Sequence, residues 1–533
     1  MGFTVLHNLE RELSSRLSSD WRSYSFVGIG STIVFLFYRE LSKKRRQLPL
    51  PPSPTPPHWL FGDPEFFKLP HRHVLLGTKY RAQCGDMICV STVSAHFVYL
   101  NSIDRATELL EKQAALTANR PRNVLLDDIM GWSEGVGLHV HDGRHKKMRR
   151  VMASALHSTA SSAYAPQHLS NTISFFNLVA QSPDRYREHA TNAIGTFIVQ
   201  MTYGIDEKDL IPLAHEAMYY LAVGLTTRFW VNDIPILKYI PPWFPGAEFK
   251  RFGLRGRKLR SRYVNEPFEQ VVKRMRQNNI EHASYTSKLL QAKGGIDASP
   301  EDIDLVKWTA GAMYLAGSST TIHVIMVFFL MMALYPEVAR RAQEEIDTVV
   351  GRGRIPDFPD RELLPYVEAL LQEVMRISPP SALGLPHTAL EDIDFQGYRI
   401  PKNTTIHPNI WGMLHGPAYY SSPYEFLPDR YLKSAPDPDP RKYIFGFGRR
   451  VCPGLHVAND SAWIMCAGLL AIFDIRAGED LNKRVEEIGG RESPQTYKLF
   501  DGYGASSPLP FKYKITVRDE GAALLLEQIS LLS

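Results

Sequence analysis

The residues with the clearest chemical potential lie in a short glycine-rich loop near the carboxyl end of the chain. This loop, residues 445–454, reads Phe-Gly-Phe-Gly-Arg-Arg-Val-Cys-Pro-Gly. Glycines allow a backbone to turn tightly and to approach a flat ligand closely. Cys452 lies just before a predicted helix, where backbone N–H groups and the helix dipole favour a thiolate, and Arg450 adds a charge suited to an anionic ligand. The loop predicts a reactive cysteine beside a flat, anionic ligand; a glycine-rich turn around a core cysteine is the alternative.

The other cysteines are predicted to be structural. The chain of 533 residues has four cysteines, which are too few for a disulfide framework. Cys84 and Cys89 are interpreted as two small buried residues on a strand; a metal-binding pair is the weaker alternative, because no second pair follows. Cys466 lies in an apolar helical pattern that indicates core packing. The 18 histidines form no zinc-like cluster.

The cysteine loop resembles the haem-binding loop of the cytochrome P450 family, which reads Phe-x-x-Gly-x-Arg-x-Cys-x-Gly. Its fixed places are filled by Phe445, Gly448, Arg450, Cys452 and Gly454. The resemblance implies that Cys452 is the axial ligand of the haem iron, since a cysteine thiolate holds the iron in this family. It also implies that Phe445 packs near the sulfur and that Arg450 pairs with a haem propionate.

A charged triad is implied by two further matches to the family. Glu373 and Arg376 fit its Glu-x-x-Arg pattern, whose spacing puts both side chains on one helix face. Such a pair alone is a common surface feature. In the family an arginine of a later loop joins it, and Phe-Leu-Pro-Asp-Arg-Tyr at residues 426–431 nominates Arg430. The resemblance implies a structural rather than a catalytic role for all three residues.

A polar interruption in the longest apolar helix pattern resembles the oxygen-activation motif of the family. Residues 316–321 read Ala-Gly-Ser-Ser-Thr-Thr, against Ala/Gly-Gly-x-Asp/Glu-Thr-Thr in the family. The resemblance implies that Thr320 helps to protonate dioxygen at the iron. Ser319 departs from the pattern, because an acid is usual there and a serine is a poor proton source at neutral pH. A buried threonine bonded to a preceding carbonyl is the alternative for Thr320.

Three further basic residues are implied to contact the haem propionates. Arg149 fills the arginine place of a stretch that resembles the Trp-x-x-x-Arg helix of the family, and His145 stands where tryptophan is usual. His387 occupies a place where the family has a propionate-binding arginine or histidine; a turn histidine is the alternative. A solvated basic face is the alternative for Lys146 and Lys147. By family position, the substrate pocket is expected to include Met313, Ala316, Thr321, Leu383, Gly384 and Gly504.

The elements that must position these residues are predicted to be mainly helical. Residues 301–335 form the longest candidate helix, which is apolar on nearly every side and therefore indicates a central core helix. Residues 363–377 form another helix, and a third begins after Pro453. Short strands are predicted at residues 87–90, at residues 96–100 and between residues 387 and 408. The expected fold is mainly α (α+β): a cytochrome P450 fold with a long central helix, a minor β-rich subdomain and an N-terminal membrane anchor.

The first 57 residues are predicted to attach the body of the protein to a membrane. Residues 23–38 carry no charge and form a candidate transmembrane anchor, with residues 1–22 as a lumenal segment. Residues 39–57 form a basic and proline-rich linker, and the positive charges after the apolar run keep the rest of the chain cytosolic. A cleaved signal peptide or a buried helix is the alternative. Residues 58–533 are then the haem-thiolate monooxygenase domain, on the endoplasmic reticulum membrane.

The resemblance also implies cofactors and partners. The protein is expected to bind haem b and to receive electrons from NADPH through NADPH–cytochrome P450 reductase, with cytochrome b5 as a further candidate donor. A basic docking face for the acidic partner is expected at Arg449, Lys146, Lys147 and Lys442. The net charge of +5 is small for this length, and no basic repeat with interleaved aromatics indicates nucleic-acid binding.

The expected reaction is the insertion of one oxygen atom from O2 into an apolar organic substrate such as a terpenoid, a steroid or a polycyclic aromatic. Residues 241–250 resemble a stretch of fungal secondary-metabolism members, which suggests that class of metabolism. Ser319 motivates one alternative, a reductase-independent haem-thiolate isomerase or dehydratase. A non-catalytic haem-binding or lipid-binding membrane protein is the second alternative.

Overall fold

The structure, a computed structural model, describes residues 48–56, 58, 61–206, 209–280, 282–501 and 507–531. The anchor predicted at residues 23–38 and the pocket candidate Gly504 lie outside these residues. Within them the chain folds mainly into α-helices, with three small β-sheets. Residues 48–50 and 394–400 belong to a small unit of their own, in which the N–H of Arg399 donates a hydrogen bond to the carbonyl oxygen of Pro49 over 2.8 Å.

The helices occur along the whole of the described chain. Before the longest helix they are α1 (Arg72–Gly77), α2 (Lys79–Cys84), α3 (Ile103–Ala106), α4 (Ala114–Thr117), α5 (Gly143–Leu156), α6 (Ser158–Ser162), α7 (Ala165–Gln181), α8 (Tyr186–Tyr203), α9 (Leu210–Thr226), α10 (Trp230–Asp233), α11 (Glu248–Arg276) and α12 (Tyr285–Ala292). From there on they are α13 (Pro300–Leu334), α14 (Pro336–Val349), α15 (Pro365–Ile377), α16 (Ile410–Leu414), α17 (Arg441–Ile444), α18 (Leu455–Ile472), α19 (Glu479–Glu487) and α20 (Glu520–Ser530). Two stretches, Thr107–Lys112 and Leu125–Met130, are π-helical.

Helix α13 forms the centre of the core. The side chain of Ser299 accepts a hydrogen bond from the N–H of Asp302, and Pro300 occupies the first helical position, where no N–H is needed. The helix packs against α8, α9, α11 and α18, and its apolar side chains are buried along most of its length. It ends at Leu334 because Tyr335 precedes a proline, which disfavours helical geometry at that residue.

Two helices of the described residues are long and apolar enough to cross a membrane, namely α13 and α18. Some 78% of the most apolar window of α13 and 72% of that of α18 are buried inside the protein. Because a core helix and a membrane span have the same composition, burial decides between them. Both are therefore core helices in this fold.

The largest sheet has four strands in the order β1-β2-β6-β3. The strands of the three sheets are β1 (Met87–Ser91), β2 (His96–Leu100), β3 (His387–Thr388), β4 (Ile393–Phe395), β5 (Tyr398–Ile400), β6 (Thr405–Pro408), β7 (Phe473–Ala477) and β8 (Tyr513–Val517). Val98 of β2 lies opposite Ile406 of β6 in a parallel pair, and His387 of β3 lies opposite the same Ile406 in an antiparallel pair. The sheet thus holds His387 at its edge. Strands β4 and β5 pair with each other, as do β7 and β8.

One expectation about the cysteines is wrong. Cys89 is buried on β1, as predicted, but Cys84 is the last residue of α2 and is only half-buried. The reason is Gly85, whose φ of 81° ends the helix and turns the chain into the strand. Cys466 is fully buried in α18, in agreement with the prediction of core packing.

Candidate functional site

The cysteine loop is a closed turn that ends where α18 begins. The N–H of Cys452 donates a hydrogen bond to the carbonyl oxygen of Phe445 over 2.7 Å, which brings the two ends of the turn together. Gly454 is the N-terminal capping residue of α18. Burial raises the pKa of the Cys452 thiol, while a hydrogen bond from Gly454 and the positive charge of Arg149 lower it. The start of the helix and the charge of Arg149 thus both act against the effect of burial on this thiol.

Gly448 is required by the packing of the loop. Its φ is 53°, and a Cβ atom there would lie 2.5 Å from the carbonyl oxygen of Leu110. Any side chain would therefore push the loop away from the π-helical stretch Thr107–Lys112. A Cβ atom on Gly454, in contrast, would meet only the Sγ of Cys452, at 3.9 Å. Small residues thus keep one side of the sulfur open, as a flat ligand requires.

The side chain of Arg450 points into the protein and is nearly buried. Its Nε donates to the carbonyl oxygen of Ala118 over 2.6 Å, and one terminal nitrogen donates to that of His139 over 2.7 Å. The other terminal nitrogen donates to Nε2 of His145 over 2.7 Å. Because arginine only donates, His145 accepts through Nε2 and is neutral. Burial and the charge of Arg450 lower the pKa of His145 to about 3.

A cluster of basic side chains surrounds this contact, and one of its members was not predicted. Arg120, 7% exposed, donates to the carbonyl oxygens of Gly137 and Pro386 over 2.9 and 2.6 Å. Burial and then the charges of Arg450 and Arg149 lower its pKa. Burial also lowers the pKa of Arg149, which is half-buried. The Asn-Arg-Pro at residues 119–121 is the only signal in the sequence that marks Arg120, and it is weak.

His387 belongs to the same neighbourhood. Its Nδ1 donates to the carbonyl oxygen of Thr117 over 3.0 Å, so that the backbone orients the buried ring. Burial and then the charge of Arg120 lower its pKa to about 3. The predicted residues Arg149, His145, His387 and Arg450 are therefore brought together, with Arg120 added to them.

Positive charge in this basic cluster is not neutralised by protein carboxylates. Among the residues that the structure describes, no Asp or Glu forms an ion pair with Arg120, Arg149 or Arg450. Asp142, whose charge acts on Arg450 from a distance, is itself paired with His139 over 3.2 Å. Burial and the charge of Arg149 lower the pKa of Arg450 to about 10. Buried cations normally have anionic partners, so the cluster suits an anionic ligand beside the cysteine.

Residues 316–321 of α13, which we call the polar notch, expose one face of an otherwise buried helix. Ala316 and Thr320 are exposed, and Ser319 is half-buried. Thr320 Oγ1 donates to the carbonyl oxygen of Ala316 over 3.0 Å, and Ser319 Oγ donates to that of Leu315 over 3.4 Å. The bond of Thr320 is the one expected from the alternative interpretation, but the side chain is exposed rather than buried. Its hydroxyl is therefore available to a ligand in the open space.

The predicted pocket residues do not share one environment. Leu383 is half-buried, and Gly384 has a φ of 57° and packs against Pro408, with which a Cβ would collide at 2.8 Å. Met313 and Thr321 are 5% and 4% exposed and face the core rather than the open side of α13. Ala316 is thus the pocket candidate of this helix with the best access.

The predicted charged triad is assembled at the C-terminal end of α15, where Arg430 joins Glu373 and Arg376. Arg376 donates from Nε to Glu373 over 2.8 Å, and Arg430 donates from Nε to the same carboxylate over 3.1 Å. Glu373 and Arg376 are fully buried and Arg430 is 1% exposed. Both arginines also donate to the carbonyl oxygen of Glu425. The triad ties α15 to the segment that leads into the cysteine loop.

Comparison with known proteins identifies the family. The sequence model of the cytochrome P450 family matches residues 51–499. This chain belongs to the cytochrome P450 family. A cytochrome P450 monooxygenase of Armillaria gallica is 33% identical over 94% of this chain and 98% of its own length. One from Aspergillus oryzae is 33% identical over 85% and 86%, and a tryptamine 4-monooxygenase of Psilocybe cyanescens is 31% identical over 85% and 91%.

These similarities confirm the expected family, the mainly α-helical cytochrome P450 fold and the enzyme class, a cytochrome P450 monooxygenase. The family implies haem, a redox partner that supplies electrons and a hydrophobic substrate. The residues present fit haem, because Cys452 offers a sulfur ligand with an open side and the basic cluster offers unneutralised positive charge for two propionates.

Proposed function

We propose that this P450 binds haem b through Cys452 and inserts one oxygen atom from O2 into an apolar organic substrate. The observation that carries the proposal is the cysteine loop beside the basic cluster, since none of its three arginines has a carboxylate partner in the described chain. When bound, haem supplies the oxygen chemistry, and the cysteine ligand favours O–O cleavage.

The protein contributes binding, orientation and proton supply. Arg120, Arg149 and Arg450 bind the propionates, while neutral His145 and His387 donate or accept hydrogen bonds at the same edge. Phe445, Gly448 and Gly454 shape the loop around the sulfur. Thr320 donates its hydroxyl proton toward the reacting oxygen, and Ser319 holds water beside it. Glu373, Arg376 and Arg430 hold the loop in position without touching the haem.

The substrate is proposed to be a terpenoid, a steroid or a polycyclic aromatic of secondary metabolism. Ala316 offers an apolar contact on the open side of α13, and Leu383 and Gly384 are proposed to add apolar or backbone contacts. Met313 and Thr321 support the core instead. Gly504, which is also proposed for the pocket, lies outside the described residues. The fungal monooxygenases among the relatives support a role in secondary metabolism.

Electrons are proposed to come from NADPH through NADPH–cytochrome P450 reductase, with cytochrome b5 as a second donor. Arg449, Lys146 and Lys442 are exposed and available to an acidic partner. Lys147 contributes less than expected, because its Nζ is bound to Glu301 over 2.7 Å.

Attachment to the cytosolic face of the endoplasmic reticulum is proposed from two features. One is the predicted anchor at residues 23–38. The other is a set of exposed apolar side chains after α9, which we call the aromatic surface. It consists of Trp230, Ile236, Tyr239, Trp243 and Phe244, whose exposed fractions lie between 46% and 78%. Monomeric proteins seldom expose so many large apolar side chains together, and Trp and Tyr favour the lipid–water interface.

The proposed function is tested with the full chain in microsomes. The reduced protein is treated with carbon monoxide, and NADPH-dependent turnover of terpenoid, steroid and polycyclic aromatic panels is followed with added reductase. We expect a thiolate-type carbon-monoxide spectrum and a hydroxylated product. Cys452→Ser should abolish the spectrum, while Cys84→Ser, at a half-buried cysteine away from the loop, should leave it unchanged. Peroxide turnover without dioxygen consumption would favour the isomerase or dehydratase, and haem uptake without any oxidation would favour the non-catalytic protein.

A further inference from the structure

A buried histidine lies one helical turn beyond the polar notch. His323 of α13 is 3% exposed, and its Nε2 lies 2.9 Å from the carbonyl oxygen of Ser378, the residue that follows α15. A carbonyl oxygen only accepts, so Nε2 carries the hydrogen and Nδ1 presents a bare lone pair. Burial lowers the pKa of this ring to about 4, which keeps it neutral at physiological pH.

The Nδ1 atom of His323 is buried and has no hydrogen-bond partner among the described residues. An unsatisfied buried acceptor costs about 1–3 kcal/mol, and such atoms often mark a missing water or a functional site. A hydrogen-bond donor to Nδ1 of His323 must therefore come from outside the described residues.

The helix geometry puts that acceptor on the face that carries the notch. At about 100° per residue, His323 projects roughly 20° from Ala316, 40° from Ser319 and 60° from Thr320. Helical side chains lean toward the preceding turn, so the ring of His323 leans toward the turn that holds Ser319 and Thr320. Ser319 makes only a long bond of 3.4 Å to the carbonyl oxygen of Leu315. Ser319 lies one helical turn before His323, and this long bond leaves its hydroxyl available to another acceptor.

We propose that His323 is a positioning residue for proton supply, acting through a water molecule. The water accepts a hydrogen bond from Ser319 Oγ and donates its two hydrogens, one to Nδ1 of His323 and one to Oγ1 of Thr320. Three polar partners are enough to hold a buried water. Ser319 and His323 together then orient the water that Thr320 needs, without an acid at position 319.

The inference rests on the proposed function, in which Thr320 gives its hydroxyl proton to the reacting oxygen. As that O–H bond breaks, Thr320 takes a proton from the water, and the water regains one from solvent through the open face beside Ala316. His323 neither gains nor loses a proton. Its effect is to orient the water, so that the water donates to Thr320. The hydroxyl of Thr320 then points to the reacting oxygen and no longer to the carbonyl oxygen of Ala316.

Two amide substitutions test the roles of the two ring nitrogens of His323 separately. His323→Asn puts an amide near the Nδ1 position and loses the contact with Ser378, whereas His323→Gln reaches the Nε2 position and leaves Nδ1 empty. The full-length, haem-loaded protein is measured with reductase and NADPH for hydrogen peroxide released per NADPH oxidised. The C–O stretching frequency of the carbon-monoxide complex and the midpoint of thermal unfolding are measured on the same samples.

We expect His323→Gln to raise peroxide release about fivefold, the rate equivalent of one lost hydrogen bond, and to shift the C–O frequency. His323→Asn should stay close to the wild type in both, with a lower unfolding midpoint. The reverse ranking would mean that His323 only supports the contact with Ser378, and it would overturn the proposal. If neither variant folds, Ser319→Ala must reproduce the peroxide increase with an unchanged midpoint, or the proposal fails. A wild type without a carbon-monoxide spectrum would refute the proposed function itself.

Discussion

Nε of Arg430 donates a hydrogen bond to Oε1 of Glu373 over 3.1 Å, across 57 residues of sequence. The same carboxylate accepts from Arg376, from the N–H of Leu427 and from the hydroxyl of Tyr431. Burying a carboxylate and two arginines costs desolvation free energy. Their mutual attraction offsets that cost only while all the contacts are intact. Breaking it affects the whole segment that leads to the cysteine loop.

Glu373→Gln is therefore expected to destabilise the protein by about 3–5 kcal/mol, since it leaves Arg376 buried without a counter-charge and Arg430 with Asp437 as its remaining carboxylate partner. The measurement is urea-induced unfolding. Asp429→Asn is the matched control, because Asp429 pairs with Arg341 at the surface, and exposed pairs contribute less than about 1 kcal/mol. Equal losses in the two variants would contradict a special role for the triad.

Arg149→Ala is expected to weaken haem retention about tenfold or more, the scale of one lost charged hydrogen bond of about 1.5–3 kcal/mol. In the haem-free protein the same change removes repulsion within the basic cluster, so the free energy of unfolding should stay level or rise. Haem transfer to a competing acceptor protein and unfolding of the haem-free chain measure the two effects. Arg150→Ala, at the exposed neighbour on α5, should change neither, and loss of stability in haem-free Arg149→Ala would refute the repulsion.

Thr320→Val keeps the shape of the side chain and removes its hydroxyl. Positioned proton transfer contributes about 10²-fold or more to a rate, so most of the electrons from NADPH should appear as hydrogen peroxide instead of product. Peroxide and product are quantified per NADPH oxidised. Ser318→Ala is the control, because Ser318 is buried on another face and bonds to the carbonyl oxygen of Tyr314 over 2.6 Å. An unchanged ratio in Thr320→Val would exclude a proton-donating role.

Contact of the aromatic surface with lipid is expected to bring Trp243, 78% exposed, within reach of quenchers in the bilayer. Full-length protein in vesicles with brominated phospholipids should lose tryptophan fluorescence, and Trp243→Phe should reduce that loss. Trp463 is fully buried and serves as the unquenched internal reference. Quenching that is identical in Trp243→Phe would show that this surface faces water.

Acid is expected to destabilise the fold through its buried neutral histidines. Burial lowers the pKa of His168 to about 3, against an ordinary value of about 6.5, and its ring stacks on Phe197 with centroids 4.0 Å apart. Below pH ~6.5 the unfolded chain binds a proton that the folded chain does not, so stability falls by about 1.4 kcal/mol per pH unit for each such residue. Unfolding at pH 7.5 and 5.5 measures the slope. His168→Phe should flatten it, and an equal slope would contradict the assignment.

Patterns in the sequence predicted the central elements well because their causes are local. Helix α13 was predicted at residues 301–335 and is found at Pro300–Leu334, since its cap, its first proline and its continuous apolar run all act within a few residues. The helix predicted from residue 363 begins at Pro365 instead. A 3₁₀ turn, Phe358–Leu363, precedes it, and proline favours the first helical position.

Features that depend on distant contacts were not predictable. Arg120 resembles any loop arginine until the fold buries it beside Arg450, and His323 resembles any core histidine until its contact with Ser378 leaves Nδ1 without a donor. The end of α2 at Cys84 is not predictable in the same way, because the sequence alone does not show that Gly85 adopts a positive φ and ends a helix there. In each case the missing information is tertiary or conformational rather than compositional.

The contacts of Arg450 also set an order of events during synthesis. Its partners Ala118, His139 and His145 leave the ribosome more than 300 residues before it does. Contacts so distant in sequence close slowly and late in folding. Until the last part of the chain emerges, the buried arginine at position 120 has neither its neighbour nor an anion, and the nascent chain must be kept from aggregating. Availability of the prosthetic group at the moment of release should therefore govern the yield of folded protein.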